Sequence, residues 1–388
     1  MPVLTPSCAP LFSATMRASA SDFRVDERID VAFERRGEHL WLHLEKRLLD
    51  TADVLALLER VFAVGSADVG VSGLKDRRAI ARQWYSVRTP SDDAPLRVAL
   101  AADGWGGAGE GAGAEGSALR LLEATRHTRK LRRGTHAANG FTITLRDVSA
   151  HRPGCTADGV SPGKAGGEPP GGGEDALEAA LRARVAWLGE RGFPNYIGPQ
   201  RFGNGGRNVV RALAWFRQPK RRVSRLQRGL WLSAARSALF NRVCAARVAD
   251  GSWCRLLDGE PAVLDGSRSF FLPGAAPGEA PGGRPLAARL ADGDVHPSAP
   301  WWGRGEPLSR GCCRALEDAV LGADPALRHG LERAGLEQGR RALRVVPREL
   351  SAHRAGDRIV LSFELPPGAF ATTLLAELGE CRAPSGSV

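Results

Sequence analysis

No run of about 18 consecutive apolar residues, the length a membrane-spanning helix needs, occurs anywhere in the 388 residues. Met1-Pro2-Val3 opens neither a basic region nor a sustained apolar stretch, so a secretory leader is not expected. The seven cysteines (Cys8, Cys155, Cys244, Cys254, Cys312, Cys313 and Cys381) include no C-x-x-C pair and no His/Cys cluster. That excludes the usual structural zinc modules, and no metal is expected. An odd set of thiols without a framework reads as reduced cysteine in a cytoplasmic protein. A Walker A sequence is missing too. Gly106–Gly111 lacks the flanking strand and helix of a nucleotide-binding turn, so no nucleotide cofactor is implied.

Lysine is also scarce, with 5 Lys against 49 Arg. Codon bias in a GC-rich genome accounts for choosing Arg over Lys, but not for a net charge of +11. Such an excess favours a polyanionic partner, and guanidinium suits phosphate oxygens. A single core stops growing at roughly 250–300 residues, so the length argues for two domains.

The pattern along the chain is α+β. Residues 1–20 read as an untethered terminus, with Met16 a possible second start. His39–Glu45 alternates, with Leu40, Leu42 and Leu44 on one strand face. Thr51 is the expected cap of a helix striped by Val54, Leu57, Leu58 and Val61. Gln83–Val87, Phe141–Leu145 and Ile359–Phe363 read as further strands, and Asp175–Arg191 and Leu230–Val248 as helices. Segments 104–116, 151–174 and 273–283 are Gly/Pro/Ala-rich surface insertions. The G-x-S-x-G match at Gly159–Gly163 sits in one of them, with Pro162 directly after Ser161. It lacks the strand and helix of a nucleophile elbow.

Three segments can carry chemistry. In Gly73-Leu74-Lys75-Asp76-Arg77-Arg78 a lone carboxylate stands among cations, which favour its charged form; alone, it could equally be a charged turn. Arg126–Gly134 is basic and leads into Asn139-Gly140-Phe141, an amide and a ring able to contact and stack on an extruded base; a solvated basic face before a core phenylalanine would look the same. Phe193–Gly203, with Asn195, Gln200 and Arg201, is dense in Gly, Asn and aromatics and reads as a shaped loop. From Arg217 to Arg228 six basic residues occur with no acid, a candidate phosphate track.

In chain order these segments resemble the tRNA pseudouridine synthase D (TruD) family. The resemblance begins at Asp22-Phe23-Arg24-Val25-Asp26-Glu27, then runs through Gly37–Leu40, Lys46…Asp50-Thr51 and Gly73–Asp76. It continues at His127…Lys130-Leu131-Arg132, Asn139…Phe141, Phe193–Gly203, Leu232–Ser237 and Arg340–Arg344, and closes at Leu365–Thr373. It implies a cytoplasmic, monomeric isomerase without cofactor or membrane, whose partner is tRNA. The implied reaction converts uridine at position 13, in the D-arm region, to pseudouridine with one catalytic aspartate, matched by Asp76. Phe141 would stack on the uracil, Asn139 would contact base or backbone, and Lys75 would give electrostatic support. Phe23, Arg77, His127, Lys130, Arg132, Asn195, Gln200 and Arg201 complete the implied substrate and RNA contacts.

The implied fold is a pseudouridine-synthase core, an antiparallel sheet flanked by helices, with a large inserted TruD-specific α/β domain. The core would take residues 21–191 and 339–388, and the insertion 192–338. The competing reading from another class is a non-catalytic tRNA-binding or chaperone protein on the same fold. A glycoside hydrolase normally needs two flanking carboxylates, and Asp76 has no obvious second acid.

The charge reading has a direct consequence. With six or more phosphates neutralised, tRNA affinity should fall by roughly a thousandfold or more between about 50 and 200 mM salt. Filter binding across that range checks it, and an affinity indifferent to salt would contradict phosphate-dominated binding.

Overall fold

The computed structural model describes residues 5–102, 116–151, 173–219, 222–267, 269–274 and 284–384. Most of the three glycine-rich insertions, the G-x-S-x-G match and Cys155 lie outside the described residues. The chain forms two compact units. One, the sheet unit, takes 12–151, 348–367 and 380–388; the other, the helical unit, takes 1–11, 152–347 and 368–379.

The sheet unit opens with β1 (Phe12–Met16), β2 (Phe23–Arg28), β3 (His39–Arg47) and helix α1 (Thr51–Val61). Strands β4 (Val69–Val71) and β5 (Ile80–Arg88), helix α2 (Ala94–Ala102), and strands β6 (Ala118–His127) and β7 (Ala138–Ala150) follow. The chain then builds the helical unit. Its elements are α3 (Gly173–Arg191), β8 (Phe193–Pro194), α4 (Arg207–Arg217), α5 (Arg225–Ala249), β9 (Ala262–Leu264), β10 (Phe270–Phe271), α6 (Leu286–Ala291), β11 (Val295–His296), β12 (Ser298–Trp301), α7 (Gly311–Leu321), α8 (Pro325–Arg333), β13 (Gly339–Ala342) and β14 (Arg344–Val345). It returns to the sheet with β15 (Arg348–Ala355) and β16 (Arg358–Leu365), adds α9 (Ala371–Ala376) to the helical unit, and ends the sheet with β17 (Glu380–Arg382).

The large sheet runs β15-β16-β7-β2-β5-β3-β6, with β4 on β5, and β1 between β7 and β17. Two pairs, β2–β5 and β1–β17, are parallel, so the sheet is mixed rather than purely antiparallel. The alternation of β3 sends Leu40, Leu42 and Leu44 to one face, where they pack with Tyr85, Val87 and the Val54, Leu57 and Leu58 stripe of α1. On β16, Ile359, Leu361, Phe363 and Leu365 are all buried.

Two differences from the sequence reading matter for the site. The terminus is not untethered: β1 pairs with both β7 and β17, and Phe12 is fully buried. Five residues are too few to show a periodicity, so only the two partner strands define this one. Helix α1 is capped by Asp50, whose backbone N–H donates to Asp53 Oδ2 at 3.1 Å, and Thr51 is instead its first residue.

In the helical unit, Ala212, Trp215 and Phe216 of α4 pack with Leu232, Leu239, Phe240 and Val243 of α5 and with Leu327 and Leu331 of α8. Helix α5 starts earlier than its apolar stripe, at Arg225, and is capped by Ser224, whose hydroxyl accepts from Gln227 N at 3.2 Å. The units divide near 151 and 347, whereas the sequence reading divides the chain near 191 and 338. Within the helical unit β8 pairs antiparallel with β14, Phe193 opposite Val345. Gly192 lies at φ +77, and a Cβ there would meet Val345 O at 2.3 Å, so only glycine lets that pairing close.

Replacing Phe12 with alanine should cost about 3–5 kcal/mol, the usual range for deleting a buried aromatic. Urea unfolding measures it, and wild-type stability would mean that β1 adds nothing to the core.

Candidate active site

The loop between β4 and β5 carries Asp76. Its carboxylate meets Arg17 NH2 at 2.5 Å, with the two side chains 37% and 14% exposed. The partner is therefore a residue 59 positions upstream, just past β1, and none of the adjacent cations. Lys75 turns inward to Glu27 at 2.5 Å, where the two side chains are 6% and 0% exposed. Exposed Arg77 donates to Leu48 O at 3.3 Å.

Arg17 also lies over the Phe23 ring, 4.1 Å from its centroid. Phe23 is buried and edge-on to Phe141 at 6.1 Å, and Phe141 stacks on Phe363 at 5.2 Å. This line follows from register: Phe141 stands opposite both Val25 and Phe363. Phe23 thus offers no open ring face and supports Arg17, whereas Phe141 is half-buried. Asn139, two residues along the same face, is opposite Glu27, and its buried Oδ1 has no hydrogen-bond partner among the described residues. His136, also buried, has an orphaned Nδ1. Burial, with Lys75 next in effect, pushes the His136 imidazolium below its ordinary value. A Cβ on Gly73 would come within 3.3 Å of that ring and 3.6 Å of Lys75 Nζ.

The loop backbone is tied down from beneath. Thr51, freed from capping, accepts from Lys75 N at 3.1 Å and donates to Gln83 Oε1 at 3.3 Å, and Gln83 Nε2 donates to Gly73 O at 2.7 Å. The fully buried Lys46 donates to Leu49 O, Asp76 O and Lys75 O at 2.6, 3.0 and 3.4 Å. The basic turn is joined to this loop through Gly134 N, which donates to Ser72 O at 2.7 Å. Within that turn Arg132 is exposed, and Lys130 donates to Ala67 O at 2.5 Å. His127 is buried and stacked on Trp41 at 4.6 Å, and its Nδ1 accepts from Arg129 N.

The remaining expected residues belong to the helical unit. Asn195 is buried and bonded to Ala342 O and Arg341, a brace within that unit. Gln200 and Arg201 are exposed on a short 3-10 turn, Pro199–Phe202. Arg17, Glu27, Lys46, His136 and Phe363 escaped the sequence-based site. Of these, Glu27, Lys46 and Phe363 are members of segments already singled out.

A groove of about 310 Å³ crosses β2, β5, β7 and β16 and includes Arg24, Asp26, Arg28, Arg82 and Glu364. Arg24, Asp26 and Arg28 alternate with Val25 and Glu27, and Arg82 and Glu364 are in register with Asp26 and Gly140. These charged side chains therefore belong to the other sheet face, though Val25, Phe141 and Phe363 also line the groove. Arg82 pairs there with Asp26 and Glu45, and Arg28 with Glu364, a solvated ladder of opposite charges. Among the described residues no group of three or more His, Cys, Asp or Glu is placed to hold a metal ion, and no helix is long and apolar enough to cross a membrane.

The described arrangement is one carboxylate held by one guanidinium, beside a half-buried aromatic ring and an unsatisfied amide oxygen. Comparison with known proteins adds a family context. The model of the tRNA pseudouridine synthase D (TruD) family matches residues 7–166 and 206–378. The chain is 40% identical over 366 residues to tRNA pseudouridine synthase D of Pseudomonas aeruginosa (strain LESB58), covering 94% of this chain and 90% of that protein. It is 41% identical over 387 residues to the protein of that name from Xanthomonas campestris pv. campestris (strain 8004), covering 96% and 93%. A crystal structure bearing the TruD name, from Methanosarcina mazei, superposes with a TM-score of 0.62 at 18% identity over 96% of this chain and 95% of that one, a likeness of fold.

Changing Glu27 to glutamine would leave the Lys75 ammonium buried without its counter-charge. A loss of about 3–5 kcal/mol is expected for breaking such a pair. Urea denaturation reads it directly, and unchanged stability would show that Lys75 finds water or another acceptor.

Proposed function

This chain belongs to the tRNA pseudouridine synthase D family, and on that premise we propose that it converts uridine at position 13 of tRNA, in the D-arm region, with Asp76 as its one catalytic carboxylate. The broader activity follows from membership: the chain is a tRNA pseudouridine synthase, an isomerase acting on tRNA. In the reaction the N1–C1′ bond breaks, the uracil turns, and a C5–C1′ bond forms while the C5 proton is lost and N1 gains one. Atoms balance within the nucleotide, so no oxidant, reductant or group donor is consumed.

The observation that carries the assignment is the Asp76–Arg17 pair beside Phe141 and Asn139. A stacked base cannot turn, so the uridine must first leave the helix, at a cost of a few kcal/mol. Phe141 provides a half-exposed ring on which the flipped base can stack. The unpaired Asn139 Oδ1 is an acceptor suited to uracil N3–H, and its amide N–H group suits a uracil carbonyl. Arg17 holds the Asp76 carboxylate in place, so that it serves as nucleophile at C1′ or as base. The exposed Arg77 and Arg132 supply phosphate contacts, and tRNA binds to a monomeric protein.

Pseudouridine mapping on an unmodified transcript with uridine at position 13 tests this. Wild type should produce the signal there, and Asp76→Ala should produce none while binding tRNA normally. Turnover by clean Asp76→Ala would sink the assignment. Binding without modification by the wild type would favour a tRNA chaperone or a different target nucleotide.

A further inference from the structure

Lys46 presents a problem that catalysis by Asp76 does not by itself explain. Its side chain is fully buried, and its ammonium contacts peptide carbonyls instead of a carboxylate. An ionised amine in such a place is costly unless all three N–H donors are used. Here the three acceptors are Leu49 O at the head of α1 and, on the loop, Lys75 O and Asp76 O. On the sheet Lys46 is flanked by Ala81 of β5 and Leu119 of β6, neither of which can bond it.

We propose that Lys46 is the positioning residue of the catalytic loop: its buried ammonium binds the peptide oxygens on both sides of the Asp76 Cα and fixes the backbone from which the Asp76 carboxylate is presented. The inference rests on the reading of Asp76 as catalytic. Lys46 reaches no substrate. It acts through the main chain of Asp76, complementing Arg17, which acts on the side chain.

The charged groups around the ammonium are Asp50, Asp53, Asp76 and Lys75. Burial outweighs the three acids and pushes Lys46 down to about 8. The pH consequences for stability and activity then have opposite signs. Between about 8 and the ordinary lysine value of 10.5, the unfolded chain holds this proton and the native one does not. Its contribution to native stability therefore rises with pH across that window. Activity should fall across it, because a neutral amine has only two N–H donors for three carbonyls. A residue that merely stabilised the fold would make activity follow stability.

The test uses the full chain, with single-turnover rates and binding on an unmodified tRNA transcript. Lys46→Met keeps the length and removes charge and donors. We expect a rate lower by about a hundredfold, the scale of a small misplacement of a reacting group, with unchanged tRNA affinity. We also expect the fall in rate above pH about 8 to disappear in this variant. A folded Lys46→Met enzyme with the wild-type rate, or one that keeps the same alkaline fall, would overturn the inference. Should that variant not fold, ¹⁵N NMR of the wild-type lysine ammonium groups decides, since the chain has only 5 lysines. Coincidence of the Lys46 titration with the loss of rate supports the inference, and a rate that stays flat through that titration overturns it. Asp76→Ala separates the two readings. If it turns over, both fail; if it is dead beside a fully active Lys46→Met, only this inference fails.

Discussion

A carboxylate on a loop is only as well placed as the loop's backbone. Around Asp76 that backbone is tied to groups that are themselves buried. Glu27 takes the Lys75 ammonium, Thr51 the Lys75 N–H, Gln83 the Gly73 carbonyl, and Lys46 the carbonyls of Lys75 and Asp76. Each of these anchors comes from β2, β3, β5 or the first turn of α1. The sheet thus fixes the main chain, while the partly open Asp76 side chain is held by Arg17.

Such a network is a poor route to stability. Burying ions is costly even when they are paired, and an apolar replacement of the same volume is often as stable. Its value is geometric, because a polar network satisfied in one arrangement disfavours the others. The charge ladder on the other sheet face is a useful contrast. Arg82, Asp26, Glu45, Arg28 and Glu364 pair in solvent, where each pair is worth about 0–1 kcal/mol and fixes little.

The arginine excess divides in a similar way. Several guanidinium groups are interior: Arg247 binds Glu260 and the Ser252 hydroxyl, Arg340 binds Glu317, and Arg344 donates to His296 and Leu290 O. A planar fork with five donors suits such sites better than lysine does. The net charge therefore overstates what faces a polyanion. The basic run beginning at Arg217 is the clearer surface candidate, since its Arg225 and Arg228 sit in the exposed first turn of α5.

The sequence by itself determined the elements whose periodicity lies within one strand or helix. Leu40, Leu42 and Leu44, the α1 stripe, and Ile359, Leu361 and Phe363 all fall where alternation or helical spacing places them. It also pointed to Asp76, Asn139 and Phe141, which sit in short segments of unusual composition. Tertiary structure alone decided their partners. Arg17 meets Asp76 only because β1 is seated between β7 and β17. Phe363 meets Phe141 through the register of β16 on β7, and Thr51 reaches the loop because Asp50 does the capping. Local patterns follow from each residue's preference for water or the core, which a few neighbours reveal. A pairing between distant strands is set by the whole sheet's packing, and no short stretch of sequence contains it.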